Sequence, residues 1–191
     1  MKKVLILIYD GYSEMELSFP AASFSLMGGI GYDVVGLDKK EVVGWAGIKT
    51  LADKLISEVD PNEYDALFLP GVSPFYYDEF IKNNTVIGLI KKMYGLNKKI
   101  ITVCLTPVSV GEAGLLKGRK VCSDAPAEQY DGYDVDEVVD QPVVIDGNMI
   151  FAKGPGVIWL TKAIYEEFGL KDLSDGLISY LESEGKIAYA K

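Results

Sequence analysis

Short apolar segments alternate with helix-like segments along this chain, and this alternation restricts its fold more than any other feature. VLILIY (Val4–Tyr9), YDALFLPG (Tyr64–Gly71) and KIITV (Lys99–Val103) are apolar runs of strand length. Such runs are typical of strands covered on both faces. Strands that alternate with helices predict a mainly parallel sheet with helices on both of its faces.

The remaining segments fit the same alternation. YDVVGLD predicts a second strand, VVGWAGIKT a short hairpin, and PVVIDGNMIFAK a hairpin whose turn is Asp-Gly. Helices are predicted after the first strand, where Gly28 and Gly29 provide a stop, and then over Asn84–Asn97, Pro155–Phe168 and about Leu173–Glu182. The acidic stretch Asp124–Asp140 is expected to be a surface excursion.

Composition excludes several classes of function. The chain has 191 residues, which suits one domain over residues 1–191, and a net charge of −9, which argues against nucleic acid and anionic membrane surfaces as partners. Its apolar runs are too short to span a membrane, and two cysteines do not make a disulfide framework. A cytoplasmic location is therefore expected.

The chain contains no histidine. Histidine is the commonest general base and the commonest zinc ligand, so catalytic sites of the Ser-His-Asp, Cys-His and HExxH types cannot be built here. No P-loop pattern is present either, and GGIG at Gly28–Gly31 precedes a strand rather than following one. The sequence therefore predicts no metal and no cofactor, and no histidine-dependent protease or amidotransferase.

Cys104 lies where a predicted strand gives way to a predicted helix. Thr106 can cap that helix, and Pro107 suits its first turn. The partial positive charge at a helix N-terminus favours a thiolate, and a strand–nucleophile–helix turn is the geometry of a nucleophile elbow. The alternative, a small buried side chain that ends a strand, is equally compatible with the spacing. Cys122 is expected to be an inert packing residue.

Glu16 also has two interpretations. Ser13-x-x-Glu16 is a capping box, and from the local sequence this role is favoured. The alternative places Glu16 in a cleft, where an apolar setting raises its pKa and lets it donate a hydrogen bond to a thiolate. In that arrangement we expect Glu16 to lower the pKa of the thiol.

Five stretches, in order, resemble the ThiJ/PfpI superfamily, a flavodoxin-like group related to class I glutamine amidotransferases. They are KKVLILIYDGYSEMELSFP, YDALFLPG, IITVCLTP, GLLKGRKV and AKGPGVIWLTKAI. The resemblance runs from Lys2 to about Gly169 and is nearest to the branch of the Parkinsonism-associated deglycase and its relatives annotated for thiazole biosynthesis. It implies a flavodoxin-like three-layer sandwich with a mainly parallel central sheet, a nucleophile-elbow cysteine and a homodimer.

The resemblance also implies roles for particular residues. The family's nucleophile falls on Cys104, its acidic partner on Glu16, and its oxyanion-hole amide on the backbone N–H of Val72, which follows Gly71. Valine still offers that N–H but cannot cheaply adopt a positive φ, so we expect a reshaped loop.

Three positions depart from the family pattern. Leu105 stands where protease-like members have histidine, Thr106 lies in Cys-Leu-Thr-Pro where the deglycase branch has Cys-Ala-Gly-Pro, and Asp124 matches another family histidine. Together with Gly71, these residues are predicted to line the substrate pocket. Because both imidazoles are missing, an acyl-transfer enzyme would lack its base.

The sequence therefore predicts a cysteine-dependent protein that acts on a small-molecule electrophile through Cys104 and Glu16. The reaction would be that of an aldehyde or glyoxal lyase, or of an isocyanide hydratase, a superfamily activity that also works without a histidine beside the nucleophile. Two alternatives remain open. One is a non-enzymatic redox-sensing or protective module that uses reversible oxidation of Cys104, and the other is a degenerate member that only binds a metabolite.

Overall fold

A seven-stranded sheet forms the middle of the molecule. The computed structural model describes residues 1–124 and 127–183. The strands in these residues are β1 Lys2–Ile8, β2 Ile30–Gly36, β3 Glu41–Val43, β4 Lys49–Leu51, β5 Lys54–Leu55, β6 Ala66–Leu69, β7 Lys99–Val103, β8 Lys120–Val121, β9 Glu137–Val138, β10 Val143–Asp146 and β11 Met149–Ala152. The main sheet has the order β10-β11-β7-β6-β1-β2-β5, and all its pairs are parallel except β10 with β11.

Helices cover both faces of this sheet. They are α1 Glu14–Met27, α2 Tyr77–Ile81, α3 Asn84–Gly95, α4 Pro107–Glu112, α5 Val157–Glu167 and α6 Lys171–Ser183. Helices α1, α5 and α6 pack against one another, and α2, α3 and α4 form a second packed group. The predicted α/β architecture with a mainly parallel sheet is thus confirmed.

Local sequence explains how the main elements form. The central residues of β1, β6 and β7 are almost fully buried, as their continuous apolar runs predict. Helix α1 ends at Gly28, whose φ of +74° is in the left-handed region that glycine adopts without strain. Helix α3 begins at Asn83, whose side chain accepts hydrogen bonds from the N–H groups of Thr85 and Val86.

Both predicted hairpins are present as β3–β4 and β10–β11, the second with Gly147 at φ +61° in its turn. The acidic stretch is more ordered than expected, because β9 pairs in parallel with β8, and Ala127 and Tyr133 are buried. Residues 125 and 126 of that stretch lie outside the described residues. The helix after Cys104 is also shorter than expected, since α4 has only six residues.

The strand order fixes where a site can form. Strand β1 lies between β2 and β6. The chain adds β2 on one side of β1 and later adds β6 on the other side, and this reversal creates a topological switch point beside β1. The carboxyl ends of β1, β6, β7 and β11 are therefore near neighbours along one edge of the sheet. Within the described residues, no helix has both the length and the apolar character needed to cross a membrane.

Candidate active site

Cys104 sits immediately after β7 in a strained backbone conformation. Its φ is +59°, and among the described residues Asn97 is the only other non-glycine residue with a positive φ. Its N–H donates to the Ala152 carbonyl at 2.9 Å, and its carbonyl accepts from the Asp124 N–H at 3.2 Å. A left-handed non-glycine residue costs about 1–3 kcal/mol and persists only where surrounding contacts hold it. This is the backbone signature expected of a nucleophile elbow.

Thr106 precedes α4, but its side chain makes no capping hydrogen bond to that helix, contrary to the expectation. Its Oγ1 lies 3.0 Å from the Leu69 carbonyl and 2.8 Å from the Val103 carbonyl, and it accepts a hydrogen bond from the Val103 N–H at 3.0 Å. The hydroxyl therefore ties together the ends of β6 and β7, beneath the Cys104 turn. Pro107 occupies the first position of α4, as predicted.

Glu16 is bonded to the loop after β6 and does not form a capping box, so the interpretation favoured from the local sequence was wrong. Its Oε2 accepts a hydrogen bond from the Gly71 N–H at 2.6 Å. The N–H of Ser13, which a capping box would pair with Glu16, donates instead to the Gly71 carbonyl at 2.8 Å. Local sequence could not reveal this, because the competing partner comes from the end of β6.

Gly71 brings Glu16 and Cys104 together. The point where a Cβ would stand on Gly71 lies 2.4 Å from Glu16 Oε2 and 2.8 Å from Cys104 Cβ. Any larger residue would collide with both groups, so the close approach of the acid to the cysteine depends on a glycine here.

Val72 is buried beside this glycine and forms an antiparallel bridge with Tyr12. The two hydrogen bonds of the bridge are made by the N–H groups of Ser13 and Ser73, so the Val72 N–H is not used in it. Val72 does not have a positive φ. Valine is therefore accommodated at this position without a positive φ.

Asp124 is the second acid of the site. Its Oδ2 accepts a hydrogen bond from the Gly154 N–H at 2.8 Å. The point where a Cβ would stand on Gly154 lies 2.9 Å from Glu16 Oε1 and 3.4 Å from Asp124 Oδ2. The two carboxyl groups therefore converge on Gly154, in the GPG segment at the start of the last helical region.

The surroundings of Glu16 change its ionisation. Burial raises its pKa from 4.5 to about 7, and the charge of Asp124 acts in the same direction. The Gly71 N–H and the Ser13 side chain oppose this rise but do not cancel it. A carboxyl group with a pKa near neutral pH is well suited to accept and return a proton.

The thiol behaves differently from the expectation. Burial raises the pKa of Cys104 well above its usual value, the charges of Glu16 and Asp124 and a hydrogen-bonding interaction with Asp124 raise it further, and the Leu105 N–H only partly opposes them. The predicted thiolate at neutral pH is therefore corrected to a thiol. The physical reasons are that burial disfavours the charged thiolate and that two acids, Glu16 and Asp124, lie near the sulfur.

Two tyrosines that sequence reasoning missed complete the surroundings. Tyr9 donates a hydrogen bond to the Pro70 carbonyl and stacks on Phe80, and its pKa is raised by burial and then by the charges of Glu16 and Cys104. Tyr77 donates to the carbonyl of the buried Leu105 at 3.2 Å. The position of Tyr9 at the end of the first apolar run was the one signal that could have indicated it.

Cys122 has none of these features. It is fully buried, its Sγ donates to the Phe151 carbonyl at 3.2 Å, and burial raises its pKa to about 11. Over residues 1–124 and 127–183, no three side chains of the metal-ligating types are grouped so that they could hold a metal ion.

The sequence matches the DJ-1/PfpI family over residues 2–166. A deglycase from Thermococcus kodakarensis is 33% identical over 158 residues, which cover 82% of this chain and 93% of that protein. The deglycase PfpI from Pyrococcus furiosus is 30% identical over 164 residues, with the same coverage. The chain therefore belongs to the DJ-1/PfpI family.

Solved structures agree with this assignment. A variant of a DJ-1 superfamily protein from Salmonella typhimurium superimposes with a TM-score of 0.84 at 26% identity, over 95% of this chain and 98% of that chain. The predicted flavodoxin-like fold is thereby confirmed.

Proposed function

We propose that the protein acts on a small electrophile, an aldehyde or 2-oxoaldehyde, through a covalent adduct at Cys104, with Glu16 as the group that moves the proton. The observation that supports this best is the meeting of the strained Cys104 and the Glu16 carboxyl at Gly71. The deglycase names of the two relatives agree with chemistry on reactive carbonyl compounds.

The first step needs no preformed thiolate. As the Cys104 sulfur attacks the carbonyl carbon, its proton passes to the Glu16 carboxylate, the S–C bond forms, and the π electrons of the carbonyl move to its oxygen. Glu16 then returns the proton to that oxygen, which gives a hemithioacetal. A pKa of about 7 for Glu16 makes both transfers accessible near neutral pH.

The Val72 N–H is proposed to stabilise the developing oxyanion. Val72 follows Gly71, the glycine at which Glu16 and Cys104 approach each other, and its N–H is not used in the bridge with Tyr12. Fixed amide donors of this kind are among the largest catalytic contributions in carbonyl addition. Leu105 and Thr106, which follow Cys104 directly, are both buried and are proposed to pack beneath the bound electrophile.

For a 2-oxoaldehyde the reaction can be completed without a redox partner. Glu16 removes the proton from the carbon bonded to sulfur and returns it to the neighbouring carbonyl carbon, while the oxygens exchange one proton, so the hemithioacetal becomes a 2-hydroxy thioester. Water then hydrolyses the thioester, releases a 2-hydroxy acid and restores the Cys104 thiol.

The test is turnover of methylglyoxal, measured as lactate formed, together with intact-mass detection of the adduct. We expect both to disappear in Cys104→Ser and turnover to fall strongly in Glu16→Leu. Lactate formation that persists in Cys104→Ser would contradict the proposal. An alkyl isocyanide in the same assay separates the hydratase activity from the aldehyde activity.

The same assay separates the non-catalytic alternatives. An oxidisable switch would give no lactate but would form a sulfenate at low peroxide that thiols reverse. The raised pKa of Cys104 disfavours this, because the thiolate is the form that is oxidised. A protein that only binds a metabolite would show neither reaction.

We also propose that the chain forms a homodimer. The β3–β4 hairpin exposes Trp45, Ile48 and Leu51 by 54%, 57% and 75%, and the neighbouring Met15 by 60%. Clustered apolar side chains of this kind mark association surfaces. Light scattering should give the mass of two chains for the parent and a shift toward one chain for Trp45→Glu, and a monomeric parent would contradict the proposal.

A further inference from the structure

Asp124 is held beside the Cys104 thiol, although the proposed proton transfer does not use it. Its Oδ2 accepts from the Gly154 N–H at 2.8 Å, and its own N–H donates to the Cys104 carbonyl at 3.2 Å. These two bonds hold Asp124 to Gly154, just after the end of β11, and to Cys104, just after the end of β7. The carboxylate is therefore a fixed part of the site and not a surface group that happens to be near.

Asp124 and Glu16 both place negative charge near the thiol. Both carboxyl groups lie close to the point where a Cβ would stand on Gly154, at 3.4 Å for Asp124 Oδ2 and 2.9 Å for Glu16 Oε1. The charges of both act on Cys104. A reagent at the sulfur is therefore exposed to the charge of both acids.

These two acids have no cation in direct contact. Lys153 precedes Gly154, and its pKa is raised first by Asp140 and to a smaller extent by Asp124, but its ammonium lies 2.6 Å from Oδ1 of Asp140, whose side chain is 98% exposed. In the part of the chain that the structure describes, no lysine or arginine forms an ion pair with Glu16 or Asp124.

We propose that the Cys104 site selects uncharged electrophiles over anionic ones, and that Asp124 sets this selectivity. A carboxylate on the electrophile would lie close to that of Asp124 without a counter-ion, in a half-buried site where water screens charge less than in bulk. The substrate class is thus an uncharged aldehyde or 2-oxoaldehyde rather than a 2-oxo acid. The inference rests on the proposed function only in taking Cys104 as the reacting thiol.

The experiment compares alkylation of Cys104 by iodoacetate, which is anionic, and iodoacetamide, which is neutral, with the site assigned by mass spectrometry. The quantity measured is the rate with iodoacetate divided by the rate with iodoacetamide. Both reagents meet the same thiol at the same pH, so thiol ionisation cancels in this ratio. The ratio is referred to that of 2-mercaptoethanol, a free thiol that carries no other charge, in the same buffer. We expect it to be at least roughly tenfold lower for Cys104 than for the free thiol.

Two variants identify the residue responsible. Asp124→Asn removes the charge but keeps the shape, and it should raise the ratio severalfold toward that of the free thiol. Asp172→Asn removes the same charge from the exposed start of α6 and should leave the ratio unchanged. If Asp124→Asn does not fold, the parent ratio against the free thiol still decides whether the site selects by charge.

Either of two results would overturn the inference: a parent ratio equal to that of the free thiol, or a ratio that Asp124→Asn does not change. If neither reagent labels Cys104, relative turnover of methylglyoxal and 4,5-dioxopentanoate, a 2-oxoaldehyde that carries a carboxylate, decides, and equal turnover rejects the inference. Alkylation needs no turnover, so charge-selective labelling without lactate formation would reject the proposed function and keep this inference.

Discussion

Cys104 and Cys122 each follow a strand of the same molecule, but their surroundings differ. Cys104 has a φ of +59° and faces two carboxyl groups, whereas Cys122 lacks a positive φ and donates to a strand carbonyl. Burial raises the pKa of both thiols. The comparison shows that burial, a raised thiol pKa and the charge of Asp124 are common to both cysteines, whereas the positive φ and the approach of Glu16 at Gly71 belong to Cys104.

The largest expected difference comes from removing each sulfur in turn. Cys104→Ser should lower lactate formation from methylglyoxal by at least roughly a thousandfold, as loss of a nucleophile does in other enzymes. Cys122→Ser keeps a donor to the Phe151 carbonyl, so its activity should stay within about twofold of the parent. Comparable losses in the two variants would remove the distinction between the cysteines.

Glu16 should make the stability of the folded protein depend on pH. The pKa of Glu16 is about 7 in the folded chain and 4.5 as its ordinary value, so the folded state binds more protons between these pH values. Stability from this group is therefore present below about pH 4.5 and lost as the pH rises through 7, by up to about 3 kcal/mol.

Urea unfolding of the parent and of Glu16→Gln across pH 4.5–8 measures this loss. The free energy of unfolding of the parent should fall relative to that of the variant over this range, because glutamine does not titrate. A constant difference between the two proteins would mean that Glu16 is ionised normally.

Gly71→Ala tests the contact between the acid and Cys104. The new methyl group would stand 2.4 Å from Glu16 Oε2 and 2.8 Å from Cys104 Cβ, so the two groups must move apart. We expect activity to fall by about tenfold or more and stability by about 1–3 kcal/mol.

Gly88→Ala is the matched control for that change. Gly88 lies within α3 with nothing within 4 Å of its Cβ position, so alanine should raise stability by about 0.5–1 kcal/mol and leave activity unchanged. Equal effects of the two substitutions would show that the approach at Gly71 is not tight.

The architecture was accessible from sequence because it depends on patterns that are local. Continuous apolar runs predicted the buried strands, Asp146-Gly147 predicted the β10–β11 turn, and the βα alternation predicted the parallel sheet. Strand β9 was missed because it has only two residues and lies in the acidic stretch, which was interpreted as a surface excursion. The single domain over residues 1–191 and the cytoplasmic location stay predictions.

The site was only partly accessible, because its decisive contacts join distant segments. Cys104 and Glu16 could be named, but the choice between capping box and cleft depended on the Gly71 N–H, which arrives from β6. The expected thiolate was wrong for a similar reason, since the charge of Asp124 reaches Cys104 from beyond β8. Local sequence describes what a residue can do, and tertiary contacts decide which possibility is realised.

Coupling between Cys104 and Glu16 can be measured through the pH dependence of Cys104 alkylation by iodoacetamide in the parent and in Glu16→Gln. The charge of Glu16 raises the pKa of the thiol, so removing that charge should move the Cys104 labelling curve to lower pH, while Cys122 labelling stays slow in both proteins. Superimposable Cys104 curves in the two proteins would contradict the pairing of this acid with this thiol.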